Sequence, residues 1–155
     1  MQLKIGDLVS GNQISTGRYL GEEKVQCEGQ NSIFFKVYDS SQKIVHYLPE
    51  EQFKNIRKLP TKETVKRNME ILTQDSLIEV KEEEGSRYIF FTNKLKKGTF
   101  KGLIEVYHDL SLLKKENQIS ASERRLWKSI KDKIVKEVSY VMETDEDAAS
   151  KLIRV

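Results

Sequence analysis

The chain has 155 residues, of which 27 are Lys or Arg and 24 are Asp or Glu, so its formal net charge is only +3 although 33% of its residues are charged. No stretch approaches the roughly 18 apolar residues of a membrane span, and Lys4 and Asp7 near the start argue against a signal peptide. Cys27 is the only cysteine and cannot form an internal disulfide, so we expect a cytoplasmic protein of one or two small domains.

The first part of the chain is typical of short strands separated by turns. Strands are predicted at residues 7–10, 32–38 and 43–48, with a polar stretch between the first two. Pro49 ends the last strand because it lacks an N–H donor, and Pro60 marks the change to a helical pattern. We therefore predict a β domain over residues 1–57 and a helical domain over residues 61–155, which is an α+β fold.

Apolar residues recur at helical spacing after Thr61, a candidate N-cap. Ser120 and Glu123 have the spacing of a capping box and predict the start of a long helix. By local propensity alone, residues 77–81 and 86–91 favour a hairpin around the acidic turn at residues 82–85.

The positive charge is concentrated in two segments of the helical domain. Residues 85–101 contain five basic residues and no acidic ones, and residues 114–136 contain eight basic and three acidic ones, so each segment has a local charge of +5. Residues 1–57 have seven of each sign and no net charge. Such separation suits contact with a polyanion, but solvated helix faces also commonly carry Lys and Arg. Charge alone does not choose between these two interpretations.

The sequence contains no recognisable catalytic or metal-binding motif. It lacks a glycine-rich phosphate loop, a nucleophile elbow and a ligand cluster with zinc spacing, so we expect neither an enzyme nor a cofactor. His46 and His108 are expected at surface or partly buried positions rather than as catalysts. Trp127 lies beside the apolar stripe of the long helix, which favours packing over stacking on a base.

Several motifs resemble the CarD/CdnL family of bacterial transcription regulators. EVYHDL, followed by ISASERRLW, matches the order and spacing of the family's EVVRDL helix and LSxxEKRML helix start. ETDEDAASKLI near the end, KIGDLV near the start and the run from FFKVY to IRKL are similar as well. The resemblance covers nearly the whole chain.

The resemblance implies a Tudor-like or SH3-like β barrel that binds the β subunit of RNA polymerase, followed by an all-helical domain that contacts promoter DNA and modulates open-complex stability. It also implies a helix over residues 86–95 in place of the hairpin. An exposed barrel strand can add to a partner sheet through backbone hydrogen bonds. The predicted polymerase contacts are Lys24, Lys43, Val45 and Tyr47. The predicted DNA contacts are Arg87, Lys94, Lys96, Lys97, Arg124, Arg125 and Lys128.

The chain departs from the family pattern where family members insert a tryptophan into the minor groove. Glu84 occupies that position, and a carboxylate repels phosphates instead of filling an unstacked base step. The family's YPxHG motif is replaced by Ser10, Gly11, Asn12 and Gln13. We therefore expect any DNA contact to be dominated by phosphates, and the sign of regulation stays open.

Two other classes of function remain as alternatives. The first is a protein adaptor that docks on RNA polymerase or another partner without contacting DNA. The second is a small barrel with a helical appendage that acts on RNA or the ribosome, which would need aromatic side chains on a basic sheet. The zero net charge of residues 1–57 argues against that second class.

Overall fold

The computed structural model describes residues 2–11, 14, 16–78 and 86–155. The chain divides into two compact units, residues 1–59 and residues 60–155. The first unit contains β1 (Leu8–Ser10), β2 (Gly17–Cys27), β3 (Gln30–Asp39), β4 (Ile44–Pro49), α1 (Glu50–Phe53) and β5 (Arg57–Lys58). The second contains α2 (Lys62–Met69), a 3-10 turn (Glu70–Thr73), α3 (Arg87–Lys96), α4 (Phe100–Lys115), α5 (Ala121–Met142) and α6 (Glu146–Leu152). A sheet followed by helices confirms the predicted α+β fold class.

The five strands form one antiparallel sheet in the order β4-β3-β2-β1-β5, so β4 and β5 are its edges. Phe35 of β3 stacks on Phe53 of α1 with ring centroids 4.0 Å apart, which covers one part of the sheet. The small apolar core consists of Val9, Ile14, Tyr19, Val37, Leu48 and Ile56.

β2 is the element that the sequence patterns do not predict. They indicate a polar connection over residues 11–31, yet Gly17–Cys27 forms an eleven-residue strand that pairs with β3. Residues 24–33 extend beyond β4, which pairs only with Phe34–Asp39. Cys27 ends this two-stranded extension rather than lying in a loop, and the turn that follows has positive φ at both Glu28 and Gly29. Pairing in three dimensions, rather than local propensity, makes this segment a strand.

Gly17 lies where β2 and β3 approach closely, and a substitution there tests the pairing. A Cβ atom would lie 2.7 Å from the Tyr38 carbonyl oxygen and 2.8 Å from Val37 Cγ1. We expect Gly17→Ala to destabilise the β unit by about 1–3 kcal/mol, the usual cost of inserting atoms into a packed site. Urea denaturation followed by circular dichroism measures this. Ser32→Ala, an exposed control on β3, should change stability by less than about 0.5 kcal/mol; identical transitions for all three proteins would contradict the prediction.

The helical unit is built around α4, which contributes more buried side chains than any other of its elements. Ile104 and Leu110 of this helix share one core with Phe91 of α3 and Ile134 of α5. α5 begins with the predicted capping box, in which the Ser120 hydroxyl accepts from the Glu123 amide and the Glu123 carboxylate accepts from the Ser120 amide.

The hairpin predicted from local propensity is wrong for residues 86–91, which begin α3. Ser86 is the N-cap of this helix because its hydroxyl accepts a hydrogen bond from the Ile89 amide at 3.2 Å. Phe91 is fully buried in the helical core, so tertiary packing overrides the strand preference of its neighbours. Leu77 and Ile78 lie outside any strand, and the remainder of the predicted hairpin, residues 79–85, lies outside the described residues.

Candidate functional site

The predicted polymerase contacts on β4 lie at an edge of the sheet. Val45 and Tyr47 are 40% and 53% exposed, and they pair with Tyr38 and Lys36 of β3, so these four side chains share one face. Lys43 is exposed in the turn before the strand, with φ at 56°. Among the described residues, no strand pairs with the outer edge of β4. Its backbone groups are therefore available to a strand from another protein.

The structure does not bring Lys24 to that face. Lys24 pairs with Ile33 in the β2–β3 extension, whereas Tyr47 pairs with Lys36. Ile33 and Lys36 are three residues apart on one strand, so they point to opposite faces of the sheet. The four predicted polymerase contacts thus divide into three residues at the β4 edge and one residue elsewhere.

Arg87 is held in an ion pair between α3 and the start of α5. Its Nε lies 2.7 Å from Glu123 Oε2, and its Nη2 lies 2.8 Å from Glu123 Oε1 and 2.8 Å from the Gln118 carbonyl oxygen. Hydrogen bonds from Arg87, opposed by burial, lower the pKa of Glu123 to about 2, and the same hydrogen bonds raise the pKa of Arg87. A bidentate pair of this kind fixes the arginine in place and compensates its charge.

Lys94 is engaged in the same way at the other end of α3. Its ammonium contacts the Glu105 carboxylate of α4, and its side chain is only 17% exposed. Lys101 approaches the second oxygen of Glu105 at 3.7 Å. Two of the seven predicted DNA contacts, Arg87 and Lys94, therefore join helices of the unit to one another.

The other five predicted DNA contacts are exposed, and none has an ion-pair partner within the described residues. Lys96 and Lys97 lie at the C-terminal end of α3, and Arg124, Arg125 and Lys128 lie on the first two turns of α5. Glu84, at the family's tryptophan position, lies outside the described residues.

Trp127 is partly buried, as the apolar pattern predicts, and it has basic neighbours that the sequence analysis missed. Its Nε1 donates to Ser111 Oγ of α4 at 2.8 Å. The ammonium groups of Lys114 and Lys131 lie 3.8 Å and 5.2 Å from the centroid of its ring. Lys131 follows Trp127 by four residues, so helical spacing could have predicted their contact. Lys114 belongs to α4, and no local sequence pattern predicts its contact with Trp127.

His108 is fully buried, not at the surface or partly buried as the sequence suggests. Its Nε2 donates to the Gln74 carbonyl oxygen at 2.7 Å, and its Nδ1 lies 3.0 Å from Asp109 Oδ1. The same carboxylate oxygen accepts from the Ile78 amide at 3.0 Å. This network connects residues 74–78 to α4, and this structural role accounts for the buried histidine.

Within the described ranges, no group of three or more His, Cys, Asp or Glu side chains could hold a metal ion. None of the helices in that part of the chain combines the length and apolar character that crossing a membrane requires.

Comparison with known proteins identifies the family. The model of the CarD C-terminal domain matches residues 67–154, which is more than half of the chain. A search of curated proteins found no match. The matched residues contain α3 to α6, and thus the ion pairs and the exposed cations described above. The chain therefore belongs to the CarD/CdnL family of transcription regulators.

Proposed function

We propose that this protein is a cytoplasmic transcription regulator that binds the β subunit of RNA polymerase through the β4 edge and contacts promoter DNA through its helical unit. The observation that carries the proposal is the open edge of β4, with Val45 and Tyr47 exposed beside it. Such an edge offers a partner sheet a row of backbone hydrogen bonds, and alternate side chains supply specificity. Lys43, in the turn before the strand, adds a positive charge next to this edge.

The proposed DNA contact rests on the exposed cations and not on the whole predicted set. Arg87 and Lys94 already bind carboxylates, so a phosphate would have to compete with Glu123 and Glu105. The exposed side chains would bind phosphates without reading sequence. They are Lys96, Lys97, Arg124, Arg125 and Lys128. A protein that binds the melted promoter more tightly than the closed one shifts the population towards the open complex.

The ion pairs of Arg87 and Lys94 favour a second candidate function, a protein adaptor on RNA polymerase that does not contact DNA. In that case the β4 edge would bind polymerase, and the helical unit would recruit another protein. The two functions differ in their salt dependence, because phosphate contacts release counterions and most protein contacts do not.

The test is a binding titration against the isolated lobe of the polymerase β subunit, with upstream-fork promoter DNA added in a second arm at two salt concentrations. We expect the wild-type protein to bind the lobe, and Tyr47→Asp to weaken that binding at least about tenfold, since an exposed aromatic anchor at an interface commonly contributes more than about 1.4 kcal/mol. Ile33→Asp, at a position 45% exposed in the β2–β3 extension, is the matched control and should bind as wild type does.

Each arm has an outcome that contradicts part of the proposal. Absence of lobe binding would overturn the polymerase contact. If Tyr47→Asp and Ile33→Asp weaken lobe binding equally, the polymerase contact does not lie at the β4 edge. Lobe binding with no salt-dependent gain from DNA would replace the DNA-contacting regulator by the adaptor.

A further inference from the structure

Two ammonium groups lie over the indole ring of Trp127. Lys114 and Lys131 lie 3.8 Å and 5.2 Å from its centroid, and the hydrogen bond to Ser111 fixes the ring against α4. A cation–π contact orients an ammonium group but does not neutralise its charge. Neither lysine lies within ion-pair distance of a carboxylate of the described residues. The site therefore presents two positive charges beside the ring, neither of them paired with a carboxylate among the described residues.

These charges continue a basic track along α5. At 3.6 residues per turn, Arg124, Lys128 and Lys131 lie within about 60° of one another around the helix. Consecutive members of the three are about 4–6 Å apart along the axis, which is of the same order as the charge spacing of one nucleic acid strand. Lys114, at the end of α4, extends the track sideways.

The composition of this surface fits a nucleic acid better than a protein. Protein interfaces have a centre depleted of charge and rich in apolar side chains. Among the large hydrophobic side chains exposed in the described residues, α5 contributes only Tyr140, which lies more than two turns beyond Lys131. Asp132 is an exposed carboxylate on the same part of α5, and the basic side chains around it outnumber it.

The contact would be with phosphates and not with bases. Lys114 lies over the indole, at a distance where a base would stack, so this ring is a platform for the ammonium groups. A base-stacking role, the less favoured interpretation of Trp127, would require that lysine to leave.

We propose that Lys114 and Lys131, positioned by Trp127, form a phosphate-binding site that extends the DNA-contacting surface along α5. This inference rests on the proposed DNA contact, and it adds residues and a direction to it. Lys114 and Lys131 would bind backbone phosphates without sequence preference, and Trp127 would be a positioning residue.

The experiment measures binding of the 155-residue chain to a mixed-sequence duplex by fluorescence anisotropy, at several salt concentrations from low ionic strength upwards. The slope of log K against log salt changes by about 0.9 for each phosphate contact. We expect the double variant Lys114→Gln/Lys131→Gln to lose about one to two units of slope and to bind several-fold more weakly at low salt. Lys151→Gln, an exposed position on α6, is the control and should leave the slope unchanged.

The chain's single tryptophan supplies a second readout that involves no substitution. If phosphates bind Lys114 and Lys131, the emission of Trp127 should change over the same concentration range as the anisotropy. Polyglutamate serves as the probe for an acidic protein partner.

Three outcomes would overturn the inference, and they are distinguishable. Wild-type binding with an unchanged slope in the double variant would remove this site and leave the proposed DNA contact standing. No DNA binding by the wild type at low salt would remove both. A tryptophan response to polyglutamate and none to DNA would assign the surface to an acidic protein.

Discussion

Glu123→Ala is expected to destabilise the helical unit by about 2–4 kcal/mol. The side chain of Glu123 is 4% exposed and makes two interactions. It accepts a hydrogen bond from the Ser120 amide in the capping box, and it forms an ion pair with Arg87. The Ser120 hydroxyl still caps the helix in this variant, so the lost half of the capping box costs less than the roughly 1 kcal/mol of a whole cap, whereas removing one partner of a buried ion pair costs about 3–5 kcal/mol. The Arg87 side chain is 33% exposed, so water compensates part of the lost pair and the expected total is lower than the sum.

The same residue gives this unit a defined acid sensitivity. Folding lowers the pKa of Glu123 from 4.5 to about 2. Its contribution is therefore fully present above about pH 4.5 and is lost as the pH falls towards 2. In Glu123→Ala, the loss of stability over this window should be smaller than in the wild type.

Urea denaturation at neutral pH and at several acidic pH values measures both effects. Glu116→Ala, which removes an exposed carboxylate near the end of α4, is the matched control and should change stability by less than about 0.5 kcal/mol. A Glu123→Ala transition that coincides with that of Glu116→Ala would refute the structural role of the Arg87–Glu123 pair.

Asp109→Ala should have the second-largest effect, about 2–4 kcal/mol, because it removes a buried carboxylate that contacts His108 and leaves the Ile78 amide without its acceptor. Asp109 is only 1% exposed, and its Oδ1 lies 3.0 Å from His108 Nδ1 and 3.0 Å from the Ile78 amide nitrogen. A donor that loses its acceptor costs about 1–3 kcal/mol, and the space left by the buried side chain adds to this loss.

Amide hydrogen exchange locates this effect, since it should accelerate at Ile78 beyond the change in global stability. Asp109→Asn keeps an amide oxygen for Ile78 and removes the negative charge beside His108, so exchange at Ile78 should stay closer to wild type. Unchanged exchange at Ile78 in Asp109→Ala would show that the carboxylate oxygen does not anchor this segment.

The sequence predicts those parts of the fold that local patterns encode. The capping box at Ser120 and the apolar periodicity of the long helix are local signals, and both appear in the structure. Local patterns do not predict β2, because its sequence GRYLGEEKVQC contains two glycines and two adjacent glutamates. Only its pairing with β3 makes it a strand. Local propensity predicts a strand at residues 86–91 because the run at residues 88–91 favours strands, whereas the Ser86 cap and the burial of Phe91 make this segment a helix.

The sequence identifies the basic residues of the candidate site but does not predict which carboxylates they bind. Arg87 and Glu123 are 36 residues apart, and nothing in the local sequence of either indicates the other. Lys94 finds Glu105 in the same way, through the packing of α3 on α4. The sequence therefore predicts that Arg87 and Lys94 are available to DNA, and only the fold shows that both already bind carboxylates.

The ion pairs at the two ends of α3 also determine how this ten-residue helix can open. Arg87 binds Glu123 of α5, Lys94 binds Glu105 of α4, and Phe91 between them is fully buried in the shared core. Unfolding α3 alone would expose that phenylalanine and separate both pairs, so the helix does not fray as a separate unit. We therefore expect its amides to exchange together with those of α4 and α5, although short isolated helices are only marginally stable in water.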